Sequence, residues 1–138
     1  MLTNRNRIKK VPTILQMENV ECGAASLGMV LAFYKKFIPL EQLRSDCCVS
    51  RDGCNMKSIA RAAIHHKMKV RALKTDIEGL KQNVTLPVII HWDFNHFVVV
   101  CGFKKDSVLI NDPALGRINV KLDEFSRVFT GIVLELVP

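Results

Sequence analysis

The chain has 138 residues, 49% of them hydrophobic and 24% charged, with 20 Lys and Arg against 13 Asp and Glu for a formal net charge of +7. That hydrophobic fraction excludes a disordered chain, and the length suits one domain with little room for a second core. No apolar run reaches the roughly 18 residues of a membrane helix, and the polar, basic start lacks the apolar segment of a secretory signal, so the expectation is a soluble, cytoplasmic, single-domain protein.

In chain order, Arg5, Arg7, Lys9 and Lys10 form the densest basic cluster. They read as a flexible basic arm over residues 1–11, ahead of one domain over 12–138. The remaining positive charge is scattered and has no aromatic residues interleaved with it, so no nucleic-acid partner is expected. A surface that attracts an acidic peptide is the sharper use of the charge. Pro12 to Glu21 is turn-like. Cys22 to Phe37 then reads as a helix that is apolar on nearly every face, hence central and buried, with Lys35 and Lys36 at its C-terminal dipole and Pro39 as its stop. Leu40 to Asp46 adds a short helix. Asn55 is the expected N-cap of a helix over Met56 to Lys67, with Met56, Ile59, Ala60, Ala63 and Ile64 as its buried stripe.

The period then changes. Lys69–Lys74 is a strand, Thr75 and Glu78 form a capping box for a short helix, and Leu86-Pro87 opens a strand through Trp92. Phe97–Phe103 and Ser107–Ile110 flank the polar Lys104-Lys105-Asp106 and read as a hairpin. Arg117–Val120 and Ile132–Val137 are further strands. Helices first and an antiparallel sheet second make an α+β architecture.

The five cysteines are Cys22, Cys47, Cys48, Cys54 and Cys101, an odd number without a secretory signal, so no disulfide framework is expected. Cys47, Cys48 and Cys54 lack C-x-x-C spacing, and His65 and His66 fall in another element, so no metal site is expected. Cys101, inside an apolar strand, reads as a small buried hydrophobe. Cys22 differs. It opens the central helix, where unpaired N–H groups and the dipole favour a thiolate, and small residues follow it. A buried cysteine starting a core helix is the plainer alternative.

A nucleophilic cysteine needs a base. His65 and His66 end a helix and read as dipole-compensating caps, while His91 lies in an apolar strand as a packed or hydrogen-bonded side chain. His96 opens a strand directly after the turn-like Trp92–Asn95, where a scaffold presents groups to solvent. With a three-residue loop at Lys104–Asp106, Val98 faces Asp112. Asp112 then becomes the diagonal neighbour of His96, about 7–8 Å away between backbones. A two-residue loop would turn the pair to opposite faces unless the strand ends bend. Asp112 is equally a turn residue before Pro113. An acyl-transfer site also needs oxyanion donors, for which the Cys22 N–H and the Gln16 amide are available.

The run Gln16-Met17-Glu18-Asn19-Val20-Glu21-Cys22-Gly23-Ala24-Ala25-Ser26-Leu27, then Asn95-His96-Phe97-Val98-Val99-Val100, then Asn111-Asp112-Pro113-Ala114 resembles the bacteriocin-processing cysteine peptidases. These are papain-like domains at the N-terminus of peptidase-containing ABC transporters. The resemblance implies a papain-like fold and a Cys-His-Asp triad of Cys22, His96 and Asp112, with Gln16 helping to form the oxyanion hole. It implies removal of a precursor's leader by cleavage after a double-glycine-type motif. The leader would be bound as an amphipathic helix, and Asn95 and Trp92 would line the approach to Cys22. Glu21 stands where the family often has Asp, and Ser26 where it often has Cys. That version looks most like the branch that processes lanthipeptide leaders. The implied partners are the transporter's membrane and ATPase domains at the cytoplasmic side of the membrane. No glycine here begins a phosphate loop, so no cofactor is expected in this domain and ATP only in the missing transporter part. Two alternatives stay open: a non-catalytic peptidase-like docking module, and another papain-like acyl transferase or amidase.

Overall fold

A computed structural model describes residues 8–51, 53–93 and 96–138. A 3₁₀ turn, Asn19–Glu21, leads into α1 (Cys22–Phe33), which is followed by α2 (Leu40–Asp46) and α3 (Met56–His65). Every residue of α1 from Cys22 to Ala32 is buried, as its all-round apolar sequence requires. The helix stops four residues before the expected Phe37. Lys35 adopts a left-handed conformation (φ 67°), the Lys36 N–H reaches back to Leu31 O at 2.9 Å, and the Lys35 N–H reaches Ala32 O at 3.0 Å. That paired closure ends the helix before Pro39 can act. In α3, Asn55 caps as expected by accepting from the Ser58 N–H at 2.8 Å. The buried stripe, however, is Ile59, Ala62 and Ala63, and Ile64 stands 60% exposed at the far end of the helix.

The second half supplies β1 (Lys69–Lys74), α4 (Ile77–Gln82), β2 (Val88–Trp92), β3 (His96–Phe103), β4 (Ser107–Asp112), β5 (Gly116–Lys121), α5 (Leu122–Val128) and β6 (Phe129–Val137). The N-cap of α4 is Asp76 rather than Thr75, because its carboxylate accepts from the Gly79 N–H at 2.8 Å. The six strands form one sheet in the order β1-β6-β2-β3-β4-β5, and every neighbouring pair is antiparallel. Side chains alternate between its two faces, and both faces are covered. Ile89, Phe97, Val99, Leu134 and Leu136 pack with α1–α3, whereas Ile90, Val98, Val100, Ile110 and Val133 pack with Leu80 of α4 and Phe125 of α5. The architecture is α+β, with α1 lying centrally against β3.

Of the expected N-terminal arm, residues 1–7 lie outside the described residues, while 8–11 pack against the sheet. The Lys9 N–H donates to Cys101 O at 2.8 Å, and Val11 is fully buried. The Asn111 and Arg117 side chains both donate to Val11 O, at 3.2 and 2.7 Å. Gly102 permits this approach, since a Cβ there would stand 2.6 Å from the Ile8 backbone.

Candidate active site

The approach to Cys22 is organised by a buried carboxylate. Glu21 is 0% exposed, and its Oε1 accepts from the Met17 and Glu18 N–H groups, each at 2.7 Å. Arg44 Nε lies 2.8 Å from Oε2, close enough for an ion pair although the geometry is off line for a hydrogen bond. Glu21 therefore fixes the loop that carries Gln16. The Gln16 N–H in turn donates to Pro113 O at 2.9 Å, which ties this loop to the end of β4. The Gln16 amide oxygen is buried and has no hydrogen-bond partner among the described residues. Glu21→Ala would orphan two N–H groups and leave Arg44 with only the longer, exposed pairing to Glu18 at 3.7 Å. A loss of about 2–3 kcal/mol in unfolding free energy is expected in urea denaturation.

His96 begins β3 and Asp112 ends β4. The hairpin between them differs from the expected one. The Lys104 N–H bonds Ser107 O at 2.8 Å, and Phe103 faces Val108, so the tip has two residues rather than three. A bulge between Val100 and Gly102 then shifts the register by one, and Val99 faces Asn111 beyond it. The extra residue, Cys101, reverses the parity change that the short tip would impose. Val98 is thereby returned to a place opposite Asp112, and His96 Nε2 lies 2.9 Å from Asp112 Oδ1. The same carboxylate oxygen accepts from the Ala114 N–H at 2.7 Å, so its orientation is set from two sides.

Charge follows this geometry. The hydrogen bond to Asp112, followed by one to the Cys22 sulfur, raises the His96 pKa from 6.5 to about 9 against the opposing effect of burial. Burial would raise the Asp112 pKa, but the bonds from His96 and Ala114 and the imidazolium charge outweigh it and hold the carboxyl below its ordinary range. Ser26 locks the two halves together beside the site, its Oγ donating to Phe97 O at 3.1 Å within the core. Sulfur, imidazole and carboxylate thus form one hydrogen-bonded chain drawn from α1, β3 and β4.

Cys22 is 6% exposed and opens onto a cleft of about 690 Å³. Val20, Met56, Phe97 and Ile132 give the cleft apolar walls, and Arg51, Cys54 and His91 add polar groups. Gly23, beside Cys22, has no space for a Cβ, which would stand 2.6 Å from Cys54 Sγ and 2.7 Å from Ile59 Cδ1. Asn95, expected to line the approach, lies outside the described residues. Trp92 does not line it: its indole packs edge-on to Phe125, ring centres 6.3 Å apart, in the core on the other sheet face. Alternation along β2 gives the cleft side to His91 instead. His91 is hydrogen-bonded to Thr130 and packed edge-on against Phe97, as expected of it, but it also walls the cleft.

Other cysteine and histidine groups lie outside this chain. Cys47 and Cys54 hydrogen-bond each other beneath the cleft, which raises the pKa of the buried Cys47 and lowers that of Cys54. The ends of α2 and α3 meet where sequence placed them in separate elements: His66 Nε2 bonds Asp46 Oδ2 at 2.6 Å, with His65 alongside. Lys36 Nζ bonds the His66 backbone carbonyl at 2.8 Å.

The sequence profile of the Peptidase C39 family matches residues 10–138. A solved double glycine motif protease from an AMS/PCAT transporter, in complex with its leader peptide, superposes with a TM-score of 0.93 at 53% identity, covering 95% of this chain and 94% of that one. The peptidase domain of Streptococcus ComA, a bi-functional ABC transporter, superposes with a TM-score of 0.87 at 25% identity over 94% of this chain and 98% of its own. Among curated proteins, the "Probable microcin-H47 secretion/processing ATP-binding protein" of Escherichia coli is 40% identical over 130 residues, 94% of this chain. This chain spans only 18% of that relative's length.

Proposed function

The chain belongs to the peptidase C39 family, and from that premise we propose that it is a cysteine endopeptidase cutting precursor peptides after a double-glycine-type motif, Gly-Gly or Gly-Ala. The single observation that carries this reading is the hydrogen-bonded chain from Cys22 through His96 to Asp112 at the mouth of an apolar-walled cleft. Its substrates are leaders of bacteriocin- or lanthipeptide-type precursors, bound upstream as an amphipathic helix. The parent protein is an ABC transporter that exports the freed peptide, with this domain on the cytoplasmic side of the membrane.

The chemistry uses side chains and backbone N–H groups of this chain, with ATP reserved for the transporter part. Asp112 engages His96 Nε2, which leaves Nδ1 for the sulfur. The Cys22 thiolate attacks the carbonyl carbon after the second small residue, and the electron pair of the carbonyl moves onto its oxygen. The Cys22 N–H and the Gln16 amide donate to that oxyanion. The tetrahedral adduct collapses to a thioester as the imidazolium gives its proton to the departing amine. Neutral His96 then takes a proton from water, and the resulting hydroxide opens the thioester and restores the thiolate. Asp112 orients the ring and stabilises its charged form throughout.

Incubation of the reduced chain with a synthetic leader ending in Gly-Gly, followed by a short core, tests the proposal. Mass spectrometry should show one cut after the second glycine, and an intact peptide, or a cut elsewhere, would refute it. The pH profile is a second test. Because the His96 pKa is raised to about 9, the imidazolium is populated below that pH and lost above it. The value of kcat/KM should therefore fall as pH rises through about 9, rather than near the ordinary histidine value of 6.5. The stabilisation from the ion pair has the same sign: complete below 6.5 and gone above about 9.

A further inference from the structure

His91 has its hydrogen assigned by its neighbour. Thr130 Oγ1 donates its one proton to the His91 carbonyl oxygen at 2.9 Å, and that same Oγ1 lies 3.2 Å from His91 Nδ1. A hydroxyl oxygen that has given away its hydrogen can only accept, so the Nδ1 of His91 carries an N–H. Burial, then the charge of His96, lowers the His91 pKa below 6.5, so the ring is neutral at neutral pH. A neutral ring protonated at Nδ1 has a bare lone pair at Nε2. No described residue uses that lone pair, and the ring stands in the cleft wall beside Phe97 and Ile132.

We propose that His91 Nε2 is a substrate-recognition acceptor, taking a hydrogen bond from a backbone N–H of the leader segment just before the cut. A chain lying in the cleft loses water from its amides against Val20, Met56, Phe97 and Ile132, and each unpaired N–H is costly there. Of the side chains in the wall, Asn55 Oδ1 is already engaged by the Ser58 N–H at 2.8 Å, the Ser50 hydroxyl is turned to Gly53 O at 3.2 Å, Cys54 is hydrogen-bonded to Cys47 and the Arg51 guanidinium can only donate, which makes the open Nε2 of His91 the strongest acceptor there. A cationic donor would meet the positive charge of Arg51 in the same wall and of His96, whose charge acts on His91, so an uncharged N–H such as a backbone amide is the matching partner. The assignment rests on the peptidase reading and goes beyond it by naming the group that reads the leader's main chain.

Binding in the Cys22→Ala background separates the two. Affinity for the synthetic Gly-Gly leader with its short core is measured by calorimetry, with and without His91→Phe, which keeps a ring against Phe97 but has no acceptor. Kd should rise about tenfold, the value of one net hydrogen bond. Replacing the amides before the cut by esters, one at a time, should reveal one position whose loss is seen with His91 and absent with Phe. A Kd unchanged by His91→Phe, or ester losses equal in both backgrounds, would overturn the assignment alone. Failure of the unmodified leader to bind the Cys22→Ala chain would overturn the peptidase reading and this assignment with it. If His91→Phe does not fold, ¹⁵N spectra of the unaltered ring decide. The Nε2 resonance should move on leader binding, and a stationary one counts against the proposal.

Discussion

Cys22→Ala is expected to slow leader cleavage by roughly 10⁶-fold, the size of effect seen when a nucleophile is deleted from a triad, while leader affinity stays within about twofold. The substitution removes one sulfur atom and keeps the Cβ, so the Glu21-anchored loop and the start of α1 are left in place. Cleft walls such as Met56, Phe97 and Ile132 are untouched. Binding and chemistry should therefore part cleanly, as seen by calorimetry on one side and mass spectrometry of the product on the other. A variant that still cut at the original rate would show the nucleophile to be elsewhere.

Asp112→Ala should lower kcat by about 10⁴-fold, with a smaller change in KM. The carboxylate is the largest cause of the raised His96 pKa, and it also receives the Ala114 N–H. Without it the ring loses its orientation, and its pKa falls back toward 6.5, so the alkaline limb should move down from about 9. Asp112→Asn keeps an acceptor oxygen but no charge. It should move the pH limb in the same direction with a comparable loss in rate, because an amide can hold the ring in the wrong tautomer, and an unmoved limb in both variants would remove Asp112 from its assigned role.

Much of the frame was legible because local rules were unopposed. The bounds of α2 and β1 follow from Pro39 and from a clean change of period, and both elements have the expected ends. Cys22, His96 and Asp112 were each ambiguous alone, and the ordered motifs around them gave the resemblance. What stayed hidden depended on tertiary facts. The bulge at Cys101 cannot be seen in an apolar run, yet it decides which face Asp112 takes. Trp92 and His91 exchange roles because side-chain alternation is known but the face holding the cleft is not. Nothing in the sequence marks Glu21 as buried, and the folding back of Met17 and Glu18 onto its carboxylate explains that burial. The left-handed Lys35 ends α1 without glycine, and α5 carries too short an apolar signal to stand out.

The proposed nucleophile sits on the first helix, whereas its proposed base and carboxylate come from the third and fourth strands. As the ribosome releases this chain, Cys22 emerges well before His96 and Asp112, and for that interval neither the imidazole nor the carboxylate has been made. On the proposed mechanism, cutting ability would arrive only once the late strands have docked, and a nascent copy would leave precursors intact while translation is still under way.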